Sequence, residues 1–450
     1  MCPKTVICLC VFVMSICSPI VDRRHRFTIE SREDFTDTLT EGLKRLNFSL
    51  LYQITSSVYI FEYKGNGNAK HATELVINAF QDQIKAIEPT RIYNNSMKPA
   101  HASLDGNENT VNKPNLICSN YYGTGVQNVS EQNITEKGVT IAICDVGLDT
   151  DLKNLAPNIN KELSKNFFTN SSDVSPEYFT ELVEIPLIIS THGNFIANVT
   201  ASIKSNKFCS AGIAHDATLV GLKTYKITYS SYGLTISTDA EILARSLKYA
   251  LDKIDIFVNA WTLDQPFDPL DLATKAAIKH GATKGRRGLG TVYVVPAGPV
   301  GNGLSNSIYT ITVNSIDRFG EKPADALPDA SVLVSGLRDG NSLTASSMIT
   351  TSHDDKHVRT FSSVSFAVAQ VSGIIALGLQ TNPSLTLRDI QHLLVQSAEY
   401  NGLDKAYAFR RNRAGRYYHQ FFGFGVLNAT TLVTLAKNMA ENNGTFRSTA

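Results

Sequence analysis

Residues 361–380 read Phe-Ser-Ser-Val-Ser-Phe-Ala-Val-Ala-Gln-Val-Ser-Gly-Ile-Ile-Ala-Leu-Gly-Leu-Gln, and no charged residue occurs between Arg359 and Arg388. A helix built from this stretch is apolar or small on every side, so it must be buried. Lipid and a protein core are the two places it could go. Val364 to Leu379 would span about 24 Å at 1.5 Å per residue, short of the roughly 30 Å of a bilayer's hydrocarbon. Gly373, Gly378 and the serines weaken the membrane reading further. The stretch is expected to be a core helix with Ser365 at its amino end.

A chain of 450 residues accommodates two or three domains, one of them large enough to enclose such a helix. Net charge is +1 with both signs mixed along the chain, which argues against a nucleic-acid partner. Arg410, Arg411, Arg413 and Arg416 form the one local basic excess, read as a solvated loop. Residues 1–17 carry Lys4, an unbroken apolar run from Val6 to Met14, and then Ser15 and Cys17. This is the pattern of a secretory signal peptide, and no membrane span is expected. Four of the seven cysteines lie in that segment. Cys118, Cys144 and Cys209 remain and allow at most one disulfide. Sequons at Asn47, Asn94, Asn128, Asn133, Asn170, Asn198, Asn428 and Asn443 agree with a secreted glycoprotein.

From residue 26 to about 93, the pattern predicts a small β-α-β-β-α-β module. Ser31 and Asp34 have capping-box spacing, and Phe35, Leu39, Leu43 and Leu46 share one helical face. Residues 94–115 turn to Asn, Ser, Gly and Pro and read as a linker. From 116 to 440 apolar strands (Val139 to Cys144, Ala217 to Thr224, Ile254 to Ala260, Thr291 to Val295, Ile308 to Val313) alternate with helical stretches. Such alternation predicts an α/β fold, a parallel sheet with helices on both faces. Residues 441–450 form a tail. Gly285-x-x-Gly288-x-Gly290 precedes a strand rather than following one, so it is not a dinucleotide fingerprint.

Three residues could carry chemistry. Asp145 ends the strand Thr140-Ile-Ala-Ile-Cys and precedes Val146-Gly147; a carboxylate there could orient a histidine. His192, in Thr-His-Gly-Asn, stands just ahead of a helix expected near Phe195, where the dipole keeps an imidazole neutral and basic. Ser365 opens the buried helix, whose free amides could hold an oxyanion. The order Asp, His, Ser, each at an element end in an α/β fold, is that of the subtilisin-type triad.

From about Leu116 to Lys437 the chain resembles the catalytic domain of subtilisin-like serine proteases, and most of all the kexin- and furin-like proprotein convertases. The resemblance is carried by Thr238-Asp-Ala-Glu-Ile-Leu-Ala-Arg-Ser-Leu, Ile256-Phe-Val-Asn-Ala-Trp and Gly285-Arg-Arg-Gly-Leu-Gly. Asn306-Ser-Ile-Tyr-Thr, Leu387-Arg-Asp-Ile-Gln-His-Leu-Leu-Val-Gln and Phe422-Gly-Phe-Gly-Val-Leu-Asn-Ala extend it. It implies an endopeptidase acting on protein or peptide substrates, with catalytic Asp145, His192 and Ser365. It also implies a leading module that acts as propeptide and inhibitor, no cofactor for the chemistry, and a structural calcium ion near Asp151, Asn154 and Asn206.

The departures are local. Gly-Thr-Ser-x-Ala-x-Pro of the family is Ser363-Val364-Ser365-Phe366-Ala367-Val368-Ala369, and His-Gly-Thr is His192-Gly193-Asn194. The position of the oxyanion-hole asparagine is Pro299, with Asn302 as a substitute if the loop is longer. The acidic residue after the catalytic Asp is Val146, so cleavage after paired basic residues does not carry over. These changes leave a second reading, a non-catalytic descendant that binds peptides or a partner.

Overall fold

Phe27 and Ile29 alternate with Thr28 and Glu30, the period of a strand with one face on an apolar core. The structure is a computed structural model that describes residues 25–96, 124–130, 134, 137–178, 190–204, 211–230, 233–317, 320–323, 326–338, 348–351, 357–360, 363–403 and 407–441. The expected signal peptide and most of the expected linker and tail lie outside these residues. The leading module comprises β1 (Arg26–Ser31), α1 (Asp37–Arg45), β2 (Phe48–Gln53), β3 (Val58–Tyr63), α2 (Ala69–Phe80) and β4 (Ile84–Pro89), in the order the pattern predicts. Its antiparallel sheet runs β2-β3-β1-β4, and Phe27, Leu43, Phe48, Phe61 and Val76 fill the space under the helices. Ser31 is not the cap of α1. It closes β1, and Thr36 accepts from the Leu39 amide instead. On the other sheet face Ile54, Val58 and Ile60 enter the core of the larger domain.

β5 (Ile92–Ser96) corrects the expected linker, whose first residues are a strand. Polar composition alone signals a loop here. An open strand edge elsewhere in the chain supplies the backbone partners, and tertiary context overrides propensity.

The larger domain begins with the short α3 (Val126–Ser130) and continues through β6 (Thr140–Asp145), β7 (Lys165–Asn166), α4 (His192–Ala201) and β8 (Thr218–Lys223). A hairpin of β9 (Lys226–Ser230) and β10 (Gly233–Asp239) follows, then α5 (Ala240–Leu247), β11 (Ile256–Val258), α6 (Leu272–Lys284), β12 (Val292–Pro296), β13 (Ile311–Ile316) and β14 (Val332–Leu337). After the hairpin β15–β16 (Met348–Thr351, His357–Thr360) come α7 (Val364–Thr381), α8 (Leu387–Ser397) and β17 (Ala398–Glu399). The hairpin β18–β19 (Arg410–Arg411, Tyr417–Tyr418), β20 (Val426–Leu427) and α9 (Ala429–Glu441) complete it.

Among the described residues one nine-stranded sheet has the order β17-β20-β14-β13-β12-β11-β6-β8-β7, parallel except where β17 meets β20. The chain leaves β6 for β8 on one side and returns to β11 on the other. That reversal opens a crevice at the carboxyl ends of β6 and β11, where α/β sheets bind ligands.

The charge-free stretch is α7, buried as expected, with Val368, Val371, Ile374 and Leu377 fully enclosed. Ending at Thr381 rather than Leu379, it is longer than expected and meets the length and apolarity of a membrane span, yet 78% of it is buried inside the protein. Gly373 sets its approach to α4: a Cβ there would stand 2.8 Å from Ile213 and 3.2 Å from the Thr200 carbonyl oxygen. Gly373→Val should therefore cost about 1–3 kcal/mol by overpacking, read as a lower denaturation midpoint at unchanged m-value.

Candidate active site

β6 ends in Asp145, whose carbonyl accepts from the amides of Thr224 (3.0 Å) and Tyr225 (3.3 Å) and so stays tied to the chain leaving β8. Its carboxylate is 7% exposed. Oδ1 accepts from the Val146 amide at 2.9 Å, and Oδ2 accepts from His192 Nδ1–H at 2.8 Å. His192 is the first residue of α4, three positions earlier than the periodicity suggests. Gly193 makes that contact feasible: a Cβ there would lie 2.0 Å from the Gly147 carbonyl oxygen and 3.1 Å from Asp145 Cβ. The pairing His-Gly with Asp-x-Gly is thus a packing requirement between two turns.

The imidazole is 29% exposed at its outer edge. Burial disfavours its charge, but the charge of Asp145 and the hydrogen bond to it outweigh that effect and lift the pKa above the ordinary 6.5. With Nδ1 protonated, Nε2 is the free base.

Ser365 lies in the first turn of α7, at the mouth of the same crevice. Its hydroxyl donates to the Ala260 carbonyl at 3.2 Å, just beyond β11. Among the described residues no hydrogen bond joins Ser365 to His192. The structure brings Asp145 and His192 together directly, and places Ser365 on the helix that packs against α4 and β11.

The oxyanion side departs from expectation. Pro299 has no N–H to donate. Asn302 is fully buried and turned into its own loop: Nδ2 donates to the Pro299 carbonyl at 2.9 Å, and Oδ1 accepts from the Leu304 and Ser305 amides at 3.2 and 3.1 Å. Asn302 therefore does not replace the missing donor. The Ser365 amide, expected to be free, donates to Ser363 Oγ at 3.2 Å. The sequence reading set Ser365 at the opening of the helix; the N-cap is Ser363, two residues earlier, and its hydroxyl takes the amide of Ser365.

Val146 belongs to an apolar cluster with Tyr225, Ile227 and Leu243, against which Tyr93 and Trp261 pack. There β5 adds antiparallel to β10, with Tyr93 opposite Thr238 and Asn95 opposite Ile236. The Tyr93 hydroxyl donates to Asp271 at 2.7 Å, and Arg91 pairs with Asp268 and donates to the Pro269 carbonyl at 2.8 Å. Tyr93 and Arg91 line a cleft of about 200 Å³ with Trp261, Thr262 and Asp264.

The residues suggested for calcium are engaged elsewhere. Asp151 pairs with Lys161, and Asn154 donates to Asn198. Asn206 lies outside the described residues; among the described residues no group of three or more His, Cys, Asp and Glu is found. Asn198 is itself buried and donates to the Asn194 carbonyl, so its sequon is unsuited to a glycan. Cys209 also lies outside the described residues, and Cys144 is a buried free thiol.

A strand-end Asp bonded to a helix-start His, with a serine at the head of a buried helix packed on the same parallel sheet, is the arrangement of elements found in subtilisin-like hydrolases. The profile of the Subtilase family matches residues 136–425, and the chain belongs to that family. It is 33% identical over 329 residues to neuroendocrine convertase 2 of Drosophila melanogaster, covering 69% of this chain and 48% of the relative. It is 29% identical over 437 residues to human proprotein convertase subtilisin/kexin type 7, covering 91% of this chain and 52% of the relative. The chain thus spans about half the length of these curated relatives. Fervidolysin from Fervidobacterium pennivorans shares the fold at TM-score 0.60 and 14% identity, over 91% of this chain and 61% of that one. The epidermin leader peptide processing serine protease of Staphylococcus aureus does so with the same score and identity, over 91% and 99%.

The lifted His192 pKa has a defined sign. The stability it contributes is fully present below the ordinary value and is lost as pH rises through the raised one. Imidazole titration followed by NMR should give a midpoint above 6.5 that falls in Asp145→Asn.

Proposed function

We propose that this chain is a serine endopeptidase of the secretory pathway, hydrolysing peptide bonds through Ser365, His192 and Asp145. The observation that carries the reading is the 2.8 Å hydrogen bond between Asp145 and His192 Nδ1, in a chain of the subtilase family. Ser365 Oγ attacks the substrate carbonyl while His192 Nε2 takes its proton; the imidazolium then protonates the leaving amine. Asp145 holds the productive tautomer and stabilises the charged ring. Secretion is supported by the composition of residues 1–17.

The leading module is proposed as an inhibitory propeptide. Its support is the way β5 runs along β10 and seats Tyr93 and Arg91 in the cleft beside Trp261. Losing a hydrogen bond to a charged group costs about 1.5–3 kcal/mol. Arg91→Ala, with the Asp268 pair gone, should therefore weaken inhibition by the module about 10–100-fold. The measurement is the inhibition constant of the separated module against the processed enzyme.

One observation favours a second reading, a peptide-binding protein without turnover: Pro299 and Asn302 both fail to offer a side-chain donor to an oxyanion. Fluorophosphonate labelling decides between the two. Labelling of the secreted protein, lost in Ser365→Ala, is expected for the enzyme; an unlabelled folded protein that still binds peptides establishes the alternative. Asp145→Asn should lower turnover about 10,000-fold.

A further inference from the structure

An oxyanion is stabilised by donors fixed about 2.7–3.1 Å from the place where its charge develops, and one of them is commonly the amide of the nucleophile itself. Here that amide points at a side chain: Ser365 N–H donates to Ser363 Oγ at 3.2 Å. Ser363 Oγ therefore occupies the position an oxyanion would take against this amide. The side-chain donor expected across the crevice is absent, since Pro299 cannot donate and the Asn302 amide is committed to the Pro299 carbonyl. A hydroxyl accepts and donates at once, and among the described residues nothing accepts the Ser363 proton.

We propose that Ser363 is a catalytic residue of this chain, its hydroxyl supplying the side-chain hydrogen bond to the oxyanion. The inference rests on the peptidase reading above. As the tetrahedral intermediate forms, the carbonyl π electrons move onto oxygen and Ser363 O–H donates to the new charge. Ser363 Oγ still accepts from Ser365 N–H, so the amide acts on the oxyanion through the hydroxyl. Successive hydrogen bonds polarise one another, so such a relay is stronger than its end member alone. No proton is transferred in this step; the one leaving Ser365 goes to His192. The rival donor is Thr262, whose hydroxyl is buried without a partner and lies against Gly298, one residue before Pro299.

The test compares kcat and KM for a peptide substrate in the full chain after self-processing, with Ser363→Gly, Ser363→Thr, Thr262→Val and the wild type. Ser363→Gly should lower kcat about 100–1000-fold at nearly constant KM. Glycine is itself an acceptable helix cap, so folding is retained. Ser363→Thr, which keeps the hydroxyl, should recover most of the rate. A cap with no chemical role would lose rate in neither variant. Unchanged or faster turnover in Ser363→Gly, or a loss found in Thr262→Val instead, overturns the assignment while leaving the peptidase reading intact. A wild type that neither turns over substrate nor takes up a fluorophosphonate overturns both.

Discussion

The buried seat of α7 is the constraint on which the rest depends. A helix with apolar residues on every face can be stable only when neighbours close around it, and here β11 to β14, α4 and α9 do so. Its amino end must then emerge at the carboxyl side of the sheet, where β6 and β11 part. Gly373 lets α4 approach, and Gly193 lets the start of α4 rest on the turn after β6. The placing of Ser365, His192 and Asp145 around one crevice thus follows from packing, before any chemistry is considered.

Much of this was legible in the chain. Charge-free composition identified α7 as buried, and apolar runs identified β6, β8, β11, β12 and β13, because parallel strands covered on both faces lack alternation. Asp145, His192 and Ser365 stood out by position and order. What stayed hidden depends on partners distant in sequence. β5 has the composition of a linker and is a strand only because β10, some 140 residues later, offers an edge. Asn302 read as a spare donor, but its own loop consumes both ends of its side chain. The capping of Ser365 N–H by Ser363 depends on a rotamer that no pattern encodes.

The electrostatics of the crevice differ from side to side. At the Asp145–His192 end, charge is concentrated and the imidazole is held ready to gain a proton. Around Val146, Tyr225 and Ile227 the wall is apolar; Asp264 and Asp268 line the cleft, Asp268 is engaged by Arg91, and nearby Asp271 accepts from Tyr93. In the proposed peptidase, a substrate displacing β5 would meet the carboxylates that Arg91 and Tyr93 now hold, and that wall.

Ile54, Val58 and Ile60 of the leading module share one core with the sheet domain, and Arg26 forms a buried ion pair with Glu241. Glu88 also accepts from the Leu272 amide at the start of α6. While the backbone is continuous these contacts are intramolecular and tie the two parts to each other. A single cut between them would turn the module into a ligand. Stability would then follow mass action, rising with total protein concentration and falling on dilution. Dilution after release from a concentrated compartment would itself favour dissociation of the module, with no change in any residue.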